Sequence, residues 1–150
     1  MKKLLIVMSL GLLLSSCTAK TYLYNWGSYR NSKEASDYEV VMYDYYHTQS
    51  PESVCALLCQ YEYMVKHPGG TRGVIPPGIC AEYGYLLLQP ETAANFLSHA
   101  TKKQKETYGQ MGDYGAMFRE KGMEMLQKEM ELYPESSVFI GPLIKKFSHQ

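Results

Sequence analysis

The sequence predicts an all-α fold of about five or six helices. In several segments apolar residues recur three or four positions apart, which places them on one face of a helix. Proline and glycine interrupt the chain at 68–70, 76–78 and 134, where a helix would have to end. Ser50 and Asp113 stand immediately before apolar segments, where a side-chain oxygen can cap a helix N-terminus. Together these patterns favour short helices joined by loops.

Residues 1–16 have the features of a bacterial lipoprotein signal peptide. Lys2-Lys3 precedes an apolar segment, 4–14, that is far shorter than the ~20 residues of a membrane-spanning helix. The segment ends in Leu14-Ser15-Ser16-Cys17, which resembles the lipobox of bacterial lipoproteins; the alternative is an ordinary signal peptide with an incidental cysteine. The resemblance implies a mature chain that begins at Cys17 and is held in the membrane by lipid on that residue. Lipoproteins retained at the inner membrane often carry aspartate next, so Thr18 implies the outer membrane, on its periplasmic face.

The mature chain is long enough for one domain. Removal of residues 1–16 leaves 134 of the 150 residues, which suits a single core. We expect residues 17–32 to form a lipidated tether that begins to dock at Tyr24-Asn25-Trp26-Gly27, and residues 33–150 to form the helical domain. Without Lys2-Lys3, 13 of the 15 basic residues remain against 15 acidic ones, so the charge balance gives no indication of nucleic acid binding.

The first two helices are predicted on either side of Ser50. From Lys33 onward apolar residues recur at helical spacing, although their β-branched and aromatic character also allows a strand. They are Ala35, Tyr38, Val41, Met42, Tyr45 and Tyr46. The second helix is expected to begin at Ser50-Pro51-Glu52, because serine caps, proline suits the first helical position and glutamate favours the helix dipole. It should end near Lys66-His67, before the proline- and glycine-rich loop.

Four more helices are expected after this loop. They are Ile79–Gln89, a short helix from Pro90-Glu91-Thr92 to Ala100, Tyr114–Tyr133, and a last helix after Pro134-Glu135-Ser136-Ser137. The polar segment Thr101–Gly112, which contains the basic cluster around Lys103, is predicted to be a solvated linker. Pro142 lies inside the last helical pattern and predicts a kink or a late start there.

Export would place Cys55, Cys59 and Cys80 in an oxidising compartment. Cys55 and Cys59 are four residues apart on one helix face, which is poor geometry for a bridge between them. A disulfide from Cys80 to either Cys55 or Cys59 is therefore one alternative, and three buried free thiols are another. A zinc site completed by a histidine is the third, but the cysteine spacing lacks the tight C-x2-C turn of ordinary structural zinc sites.

The segment Cys80-Ala81-Glu82-Tyr83-Gly84-Tyr85-Leu86-Leu87 resembles the first helix of a tetratricopeptide repeat. Gly84 is its most informative residue, because a helix-interior glycine costs about 1 kcal/mol against alanine and the repeat uses it where two helices approach closely. Gly122, Leu126 and Pro134 follow the spacing of the repeat's second helix, although the intervening segment is longer than a ~34-residue repeat allows. The resemblance implies antiparallel helix pairs that leave a groove for a partner's peptide or helix.

The mature chain also resembles a family of bacterial outer-membrane lipoproteins with a tetratricopeptide-like helical body. The residues that carry this resemblance are Tyr24-Asn25-Trp26-Gly27, Pro76-Pro77-Gly78, Ala81-Glu82-Tyr83-Gly84-Tyr85-Leu86-Leu87-Leu88 and Tyr133-Pro134-Glu135-Ser136. Members of that family are often encoded beside a lipoprotein resembling the curli secretion channel CsgG and beside a second small lipoprotein. The resemblance implies a role in an envelope complex, with other envelope lipoproteins as partners, and it supplies no catalytic residue.

No set of residues has the pattern of a catalytic or cofactor site. Asp44, His47 and Ser50 are suitable in type, but no nucleophile elbow surrounds Ser50, and helix capping explains that residue. The glycine-rich segment 69–73 lacks the Lys-Ser/Thr pair of a phosphate-binding P-loop. We therefore expect a non-enzymatic protein-interaction module without a cofactor. The alternatives are a structural spacer or accessory subunit of a CsgG-like channel, and a thiol-based metal or small-molecule binder.

Tyrosine is unusually frequent, with 14 residues in the chain. Its apolar ring and polar tip suit both a core and a recognition surface, and a core position is the default interpretation. For a partner-binding surface we select aromatic or arginine residues in or beside loops and helix ends: Trp26, Tyr43, Tyr46, Arg72 and Tyr85.

Overall fold

The computed structural model describes residues 22–27, 36–109 and 113–149. Within these ranges the chain forms seven α-helices and no β-strand, which confirms the predicted all-α class. The helices are α1 (Asp37–Thr48), α2 (Pro51–Lys66), α3 (Ile79–Leu87), α4 (Thr92–His99), α5 (Lys102–Thr107), α6 (Tyr114–Leu132) and α7 (Ser137–Ser148), with a 3-10 turn at Pro134–Ser136. The predicted signal peptide and Cys17 lie outside the described residues.

Side-chain caps set the starts of α1, α2, α5 and α6. The Ser50 hydroxyl accepts a hydrogen bond from the Ser53 backbone N–H, and the Asp113 carboxylate accepts one from Ala116 N–H. Both caps were predicted from the sequence. Helix α1 begins at Asp37 behind Ser36, which forms a reciprocal capping box with the third helical residue. The predicted start at Lys33 falls outside the described residues.

The predicted linker at Thr101–Gly112 is wrong for its first half, because it contains helix α5. Thr101 and Gln104 form a capping box that starts this helix. Tyr108 follows it and is buried, and its hydroxyl donates to the Leu58 carbonyl oxygen at 2.9 Å. The six residues of this helix are polar, so the sequence shows no apolar residues at helical spacing there. The contact of Tyr108 with Leu58 attaches the end of this helix to α2.

Helix α7 starts at Ser137 and continues through Pro142, so the proline does not delay its start. Ile140 and Phe147 are its buried residues, and they pack in a cluster with Leu88 and Leu126. This cluster attaches α7 to the outer side of the α3–α6 pair.

Two glycines allow α3 and α6 to pack closely. A Cβ atom placed on Gly84 would lie 2.7 Å from the Gly122 carbonyl oxygen, and one on Gly122 would lie 2.6 Å from Leu88 Cγ. Real Cβ contacts are longer than this, so a side chain at Gly84 would push the two helices apart, and one at Gly122 would have to displace Leu88. The close approach expected at Gly84 is therefore present.

A buried carboxylate, Glu62, connects three helices in the core. It accepts a hydrogen bond from the Tyr83 hydroxyl at 2.7 Å and forms ion pairs with Lys121 at 2.7 Å and Lys66 at 3.0 Å. The Tyr83 hydroxyl also lies 2.8 Å from the Tyr108 hydroxyl. Burial would raise the pKa of Glu62, but the hydrogen bonds from Lys121, Tyr83 and Lys66 outweigh burial and hold that pKa below its ordinary value.

A second buried carboxylate, Glu129 of α6, caps the N-terminus of α3. It accepts hydrogen bonds from Gly78 N–H at 2.8 Å and Ala81 N–H at 3.3 Å. Gly78 has no side chain that could serve this purpose. Tyr133, the residue that follows α6, donates a hydrogen bond from its hydroxyl to the Ile75 carbonyl oxygen at 2.6 Å. These contacts hold the proline-glycine loop and fix the position of α3.

The segment 22–27 docks on the loop that follows α2. Thr71 N–H donates to the Tyr22 carbonyl oxygen at 2.9 Å, and Arg72 N–H donates to the Leu23 carbonyl oxygen at 3.0 Å. Gly70 permits this approach, since it has a φ of +75° and a Cβ there would lie 2.5 Å from the Leu23 carbonyl oxygen. Docking therefore already includes Tyr22, two residues before the predicted point.

An aromatic series continues from this segment into the core. The rings of Tyr24, Trp26, Tyr38, Tyr61 and Tyr83 follow one another with centroid distances of 6.3, 5.6, 6.0 and 5.6 Å. Such spacings are typical of favourable edge and tilted aromatic contacts. The series attaches both the N-terminal segment and α1 to α2.

Candidate binding groove

A solvent-open groove of about 620 Å³ lies between α1, the N-terminal part of α2, and the α3–α4 pair. Its volume falls in the range of sites that bind small molecules or short peptide segments. Aromatic and aliphatic side chains line it: Met42, Tyr45, Tyr46, Val54, Tyr61, Tyr85 and Leu86. These side chains offer apolar contact to a ligand along much of the groove.

Glu82 lies in the groove and is held there by two tyrosines. The hydroxyls of Tyr38 and Tyr61 donate to its Oε2 atom at 2.9 and 2.7 Å. Burial, reinforced by the Glu82 charge, raises the pKa of both tyrosines above the ordinary value of 10, so both remain hydrogen-bond donors. The carboxylate is thereby fixed in position, although the Glu82 residue itself is exposed to solvent.

The charged residues that line the groove are acidic. Glu82 contributes one carboxylate and Glu91 a second, while Gln49, Gln89 and Asn95 add neutral amides. None of the described lining residues is lysine, arginine or histidine. The groove therefore combines aromatic surface with negative charge, a combination that favours cationic ligands with an apolar part.

Two residues of the predicted partner surface, Tyr46 and Tyr85, lie together in this groove. Their exposed fractions are 66% and 44%. Tyr43 is still more exposed, at 73%, but its ring stacks on His47 at 5.8 Å and is not part of the groove lining. Of the two α1 tyrosines predicted for the partner surface, Tyr46 therefore lines the groove and Tyr43 lies on the adjacent outer face of the helix.

The other two selected residues lie elsewhere. Trp26 is half-buried against Tyr38, and the exposed Arg72 places its guanidinium 5.6 Å from the centre of the Tyr24 ring. Both belong to the docked N-terminal segment and its loop. The five residues therefore form two separate groups and not one continuous surface.

A second cavity of about 540 Å³ lies between α1, α2 and α5. Its lining is of mixed charge, with Lys66, His67 and Lys103 beside Asp37 and Glu62. Glu62 is already paired with lysine side chains in the core. This cavity has less aromatic lining than the groove and no single charge preference.

The three described cysteines are free thiols in the structure, so the disulfide considered from the sequence is not formed here. Cys55 Sγ lies 3.9 Å from the Asn95 carbonyl oxygen of α4, and Cys59 Sγ lies 4.0 Å from that of Gln104 in α5. Cys80 is buried on the α3 side. Burial raises the pKa of Cys55 to about 11 and those of Cys59 and Cys80 to about 12, which leaves all three protonated and poorly nucleophilic near neutral pH.

The residues considered for catalysis have other roles. Ser50 caps α2, and the ring of His47 stacks on Tyr43. His99, one of the histidines that could have completed a zinc site, pairs with the exposed Glu52 at 2.9 Å and does not line the groove. Among residues 22–27, 36–109 and 113–149, no group of three or more histidine, cysteine, aspartate or glutamate side chains could hold a metal ion.

Sequence reasoning did not select the groove residues Glu82, Met42 and Tyr45. Met42 and Tyr45 were predicted only as part of the core-facing stripe of the first helix. Glu82 was named only as part of the repeat-like segment from Cys80 to Leu87. Its spacing of three residues before Tyr85, which places both on one face of α3, was the available signal.

Comparison with known proteins identifies no relative: no protein-family model, no curated protein and no solved structure matches the chain. No helix in the described part of the chain is long and apolar enough to cross a membrane. The features that bear on function are therefore the groove and the sequence pattern at the N-terminus.

Proposed function

We propose that this protein is a non-enzymatic, lipid-anchored interaction module of an outer-membrane complex. Lipid on Cys17 would hold it on the periplasmic face of that membrane, and the groove would hold a segment of another envelope protein. The single observation that carries the binding role is the open groove lined by Tyr46, Tyr85 and the fixed carboxylate of Glu82. Tyrosine is among the residues that contribute most to protein recognition, because it gives a large contact area at low entropic cost.

The helix-pair geometry supports this proposal. The close crossing at Gly84 and Gly122 is the feature expected from the tetratricopeptide resemblance, and the tetratricopeptide-like assignment is part of the proposal. Envelope lipoproteins of the kind encoded beside the resembled family, including a CsgG-like channel, are the partners to examine first.

The groove chemistry restricts the partner segment. Glu82 and Glu91 favour lysine or arginine, and the tyrosine rings favour aliphatic groups or a cation stacked on their faces. A short peptide or helix with alternating basic and aliphatic side chains satisfies both. An acidic segment would be repelled.

Site-specific photocrosslinking tests the location of the partner. The full-length chain is expressed with a photoreactive residue in place of Tyr46, Tyr85 or Tyr63, and crosslinked envelope proteins are identified by mass spectrometry. Tyr63 is the matched control, because it is an exposed tyrosine that lines the second cavity and not the groove. We expect one shared partner from positions 46 and 85 and none from position 63. The same crosslinks at all three positions, or at 63 alone, would place the binding site elsewhere.

Charge variants test the chemistry. We expect Glu82→Gln to weaken binding of the crosslinked segment by about 2- to 5-fold, since a partly solvated ion pair contributes up to about 1 kcal/mol. Glu52→Gln is the matched control, as this exposed glutamate is absent from the groove lining. If partner recovery survives all groove substitutions in folded protein, a spacer role replaces the binding role.

The anchor is tested separately. Cys17→Ala should abolish lipid labelling and leave an unprocessed precursor in the cell. Unchanged labelling in this variant would contradict the lipoprotein assignment without bearing on the groove.

A further inference from the structure

The docked N-terminal segment leaves little chain between the proposed lipid and the domain. Tyr22 is fixed to the domain through Thr71 N–H, and Leu23 through Arg72 N–H. Five residue steps separate Cys17 from Tyr22, and five steps span at most about 18 Å even when fully extended. The lipid would therefore hold this particular side of the domain at the membrane surface.

The side that carries the docked segment has suitable chemistry for that position. Tyr22 and Leu23 are 48% and 63% exposed, and His67 and Arg72 are exposed beside them. No acidic residue occurs between positions 63 and 81 or between 22 and 27. Exposed aromatic and aliphatic groups next to basic ones bind the interface of a bilayer that contains anionic lipids.

We propose that the N-terminal face, formed by Tyr22, Leu23 and the loop 68–73, lies against the lipid headgroups of the leaflet that holds the Cys17 lipid. The occupant is the bilayer surface itself, and the argument rests on the proposed acylation of Cys17. The N-terminal face thereby becomes a second, weaker membrane contact beside the lipid anchor.

This contact orients the groove. Helix α2 ends at Lys66 beside the N-terminal face and begins at Pro51, which lines the groove. The two residues are about 22 Å apart along the helix axis at 1.5 Å per residue. The Pro51 end of the groove is therefore the end farther along α2 from the N-terminal face, where a segment of another protein can reach it.

The chain contains a probe for this arrangement, because Trp26 is its only tryptophan and belongs to the docked segment. The full-length acylated protein is placed in vesicles of phosphatidylcholine and phosphatidylglycerol with a headgroup-linked energy acceptor. Energy transfer from Trp26 is compared with transfer in a Trp26→Phe/Tyr46→Trp variant, whose only tryptophan lies at the groove. We expect strong transfer from position 26 and weak transfer from position 46. Equal transfer, or stronger transfer from position 46, would overturn the proposal.

A longer tether tests whether the N-terminal face itself binds the bilayer or is only held close to it by the lipid on Cys17. A glycine-serine insert of about 20 residues after Thr18 lets the domain move about 25 Å from the lipid. We expect transfer from Trp26 to persist with this insert and to fall to the level of position 46 when Leu23→Asp and Arg72→Glu are added. Loss of transfer with the insert alone would overturn the proposal, as would persistence after both substitutions.

Mass spectrometry of the purified protein distinguishes a failure of the proposed anchor from a failure of the proposed orientation. A chain without lipid on Cys17 refutes the proposed anchor, and this orientation with it. An acylated chain that gives equal transfer from positions 26 and 46 refutes only the orientation and leaves the anchor intact.

Discussion

Gly84→Ala adds a single methyl group where α3 crosses α6. Alanine normally stabilises a helix interior relative to glycine by about 1 kcal/mol, so helix propensity alone predicts a gain. The new Cβ would lie 2.7 Å from the Gly122 carbonyl oxygen and 3.0 Å from Leu126 Cγ. Helix propensity therefore predicts a gain in stability and packing predicts a loss. The size of the packing cost decides which of the two is observed.

The obstacle at Gly84 is backbone, which cannot rotate away as a side chain can. Ordinary contact begins near 3.4 Å, so α3 and α6 would have to separate by about 0.7 Å. Overpacking of this kind costs about 1–3 kcal/mol, and Leu126, the side chain nearest to Gly84, is fully buried. Because the obstacle is backbone, we expect a cost in the upper part of that range, about 2–3 kcal/mol, and subtraction of the propensity gain leaves a net loss of about 1–2 kcal/mol. For a domain of this size that corresponds to a Tm lower by about 4–8 °C.

Thermal unfolding followed by far-ultraviolet circular dichroism measures this loss. Gly115→Ala is the matched control in α6, because its new Cβ meets only the side-chain oxygen of Asp113 at 3.2 Å. We expect the Tm of this control to stay the same or to rise. If Gly84→Ala also leaves the Tm unchanged or raises it, the tight crossing does not exist and the assignment of α3–α6 packing is wrong.

Three further predictions concern buried polar groups and thiols. Glu129→Ala should lower the free energy of unfolding by about 1.5–3 kcal/mol in urea titrations, because two backbone donors at the start of α3 lose a charged acceptor; a loss below about 0.5 kcal/mol would contradict its role as the cap. The lowered pKa of Glu62 contributes stability that is present above the unfolded-state value near 4.3 and is lost as pH falls through the lower folded-state value. Urea titrations across acidic pH should therefore show a steeper decline for the natural chain than for Glu62→Gln, and parallel curves would refute the ion-pair network. Cys55 and Cys80 should be alkylated slowly at neutral pH and rapidly after unfolding, and fast labelling of the folded protein would contradict their burial.

The helix starts at Ser50 and Asp113 could be predicted because capping depends on residues within one turn. The close approach at Gly84 was also predictable, since a glycine inside an apolar helical pattern needs a packing reason. The capping bonds join residues within one helical turn, and the unfavourable helix propensity of Gly84 can be read from its immediate neighbours. Both features are therefore visible in a short stretch of sequence. Helix α5 was missed although Thr101 and Gln104 form a capping box, because the segment is polar and contributes a single buried residue, Tyr108.

The groove could not be assembled from the sequence. Tyr46 and Tyr85 lie 39 positions apart, and their meeting depends on how α1 and α3 pack against α2. The bonds from Tyr38 and Tyr61 to Glu82 likewise span 44 and 21 positions. Trp26 and Arg72 were grouped with these tyrosines because they have the right residue types, but docking of the N-terminal segment places them at the other end of α2.

The high tyrosine content serves two different environments. In the core the hydroxyls are needed: Tyr83 donates to Glu62 and Tyr108 to the Leu58 carbonyl oxygen, so phenylalanine at either position would remove a buried hydrogen bond. At the groove, Tyr46 and Tyr85 are exposed, and an exposed ring gains little free energy from packing. Their removal should therefore cost less stability than removal of a core tyrosine, which typically costs about 3–5 kcal/mol. For this reason a loss of partner binding in folded Tyr46→Ala protein would report recognition at the groove and not damage to the core.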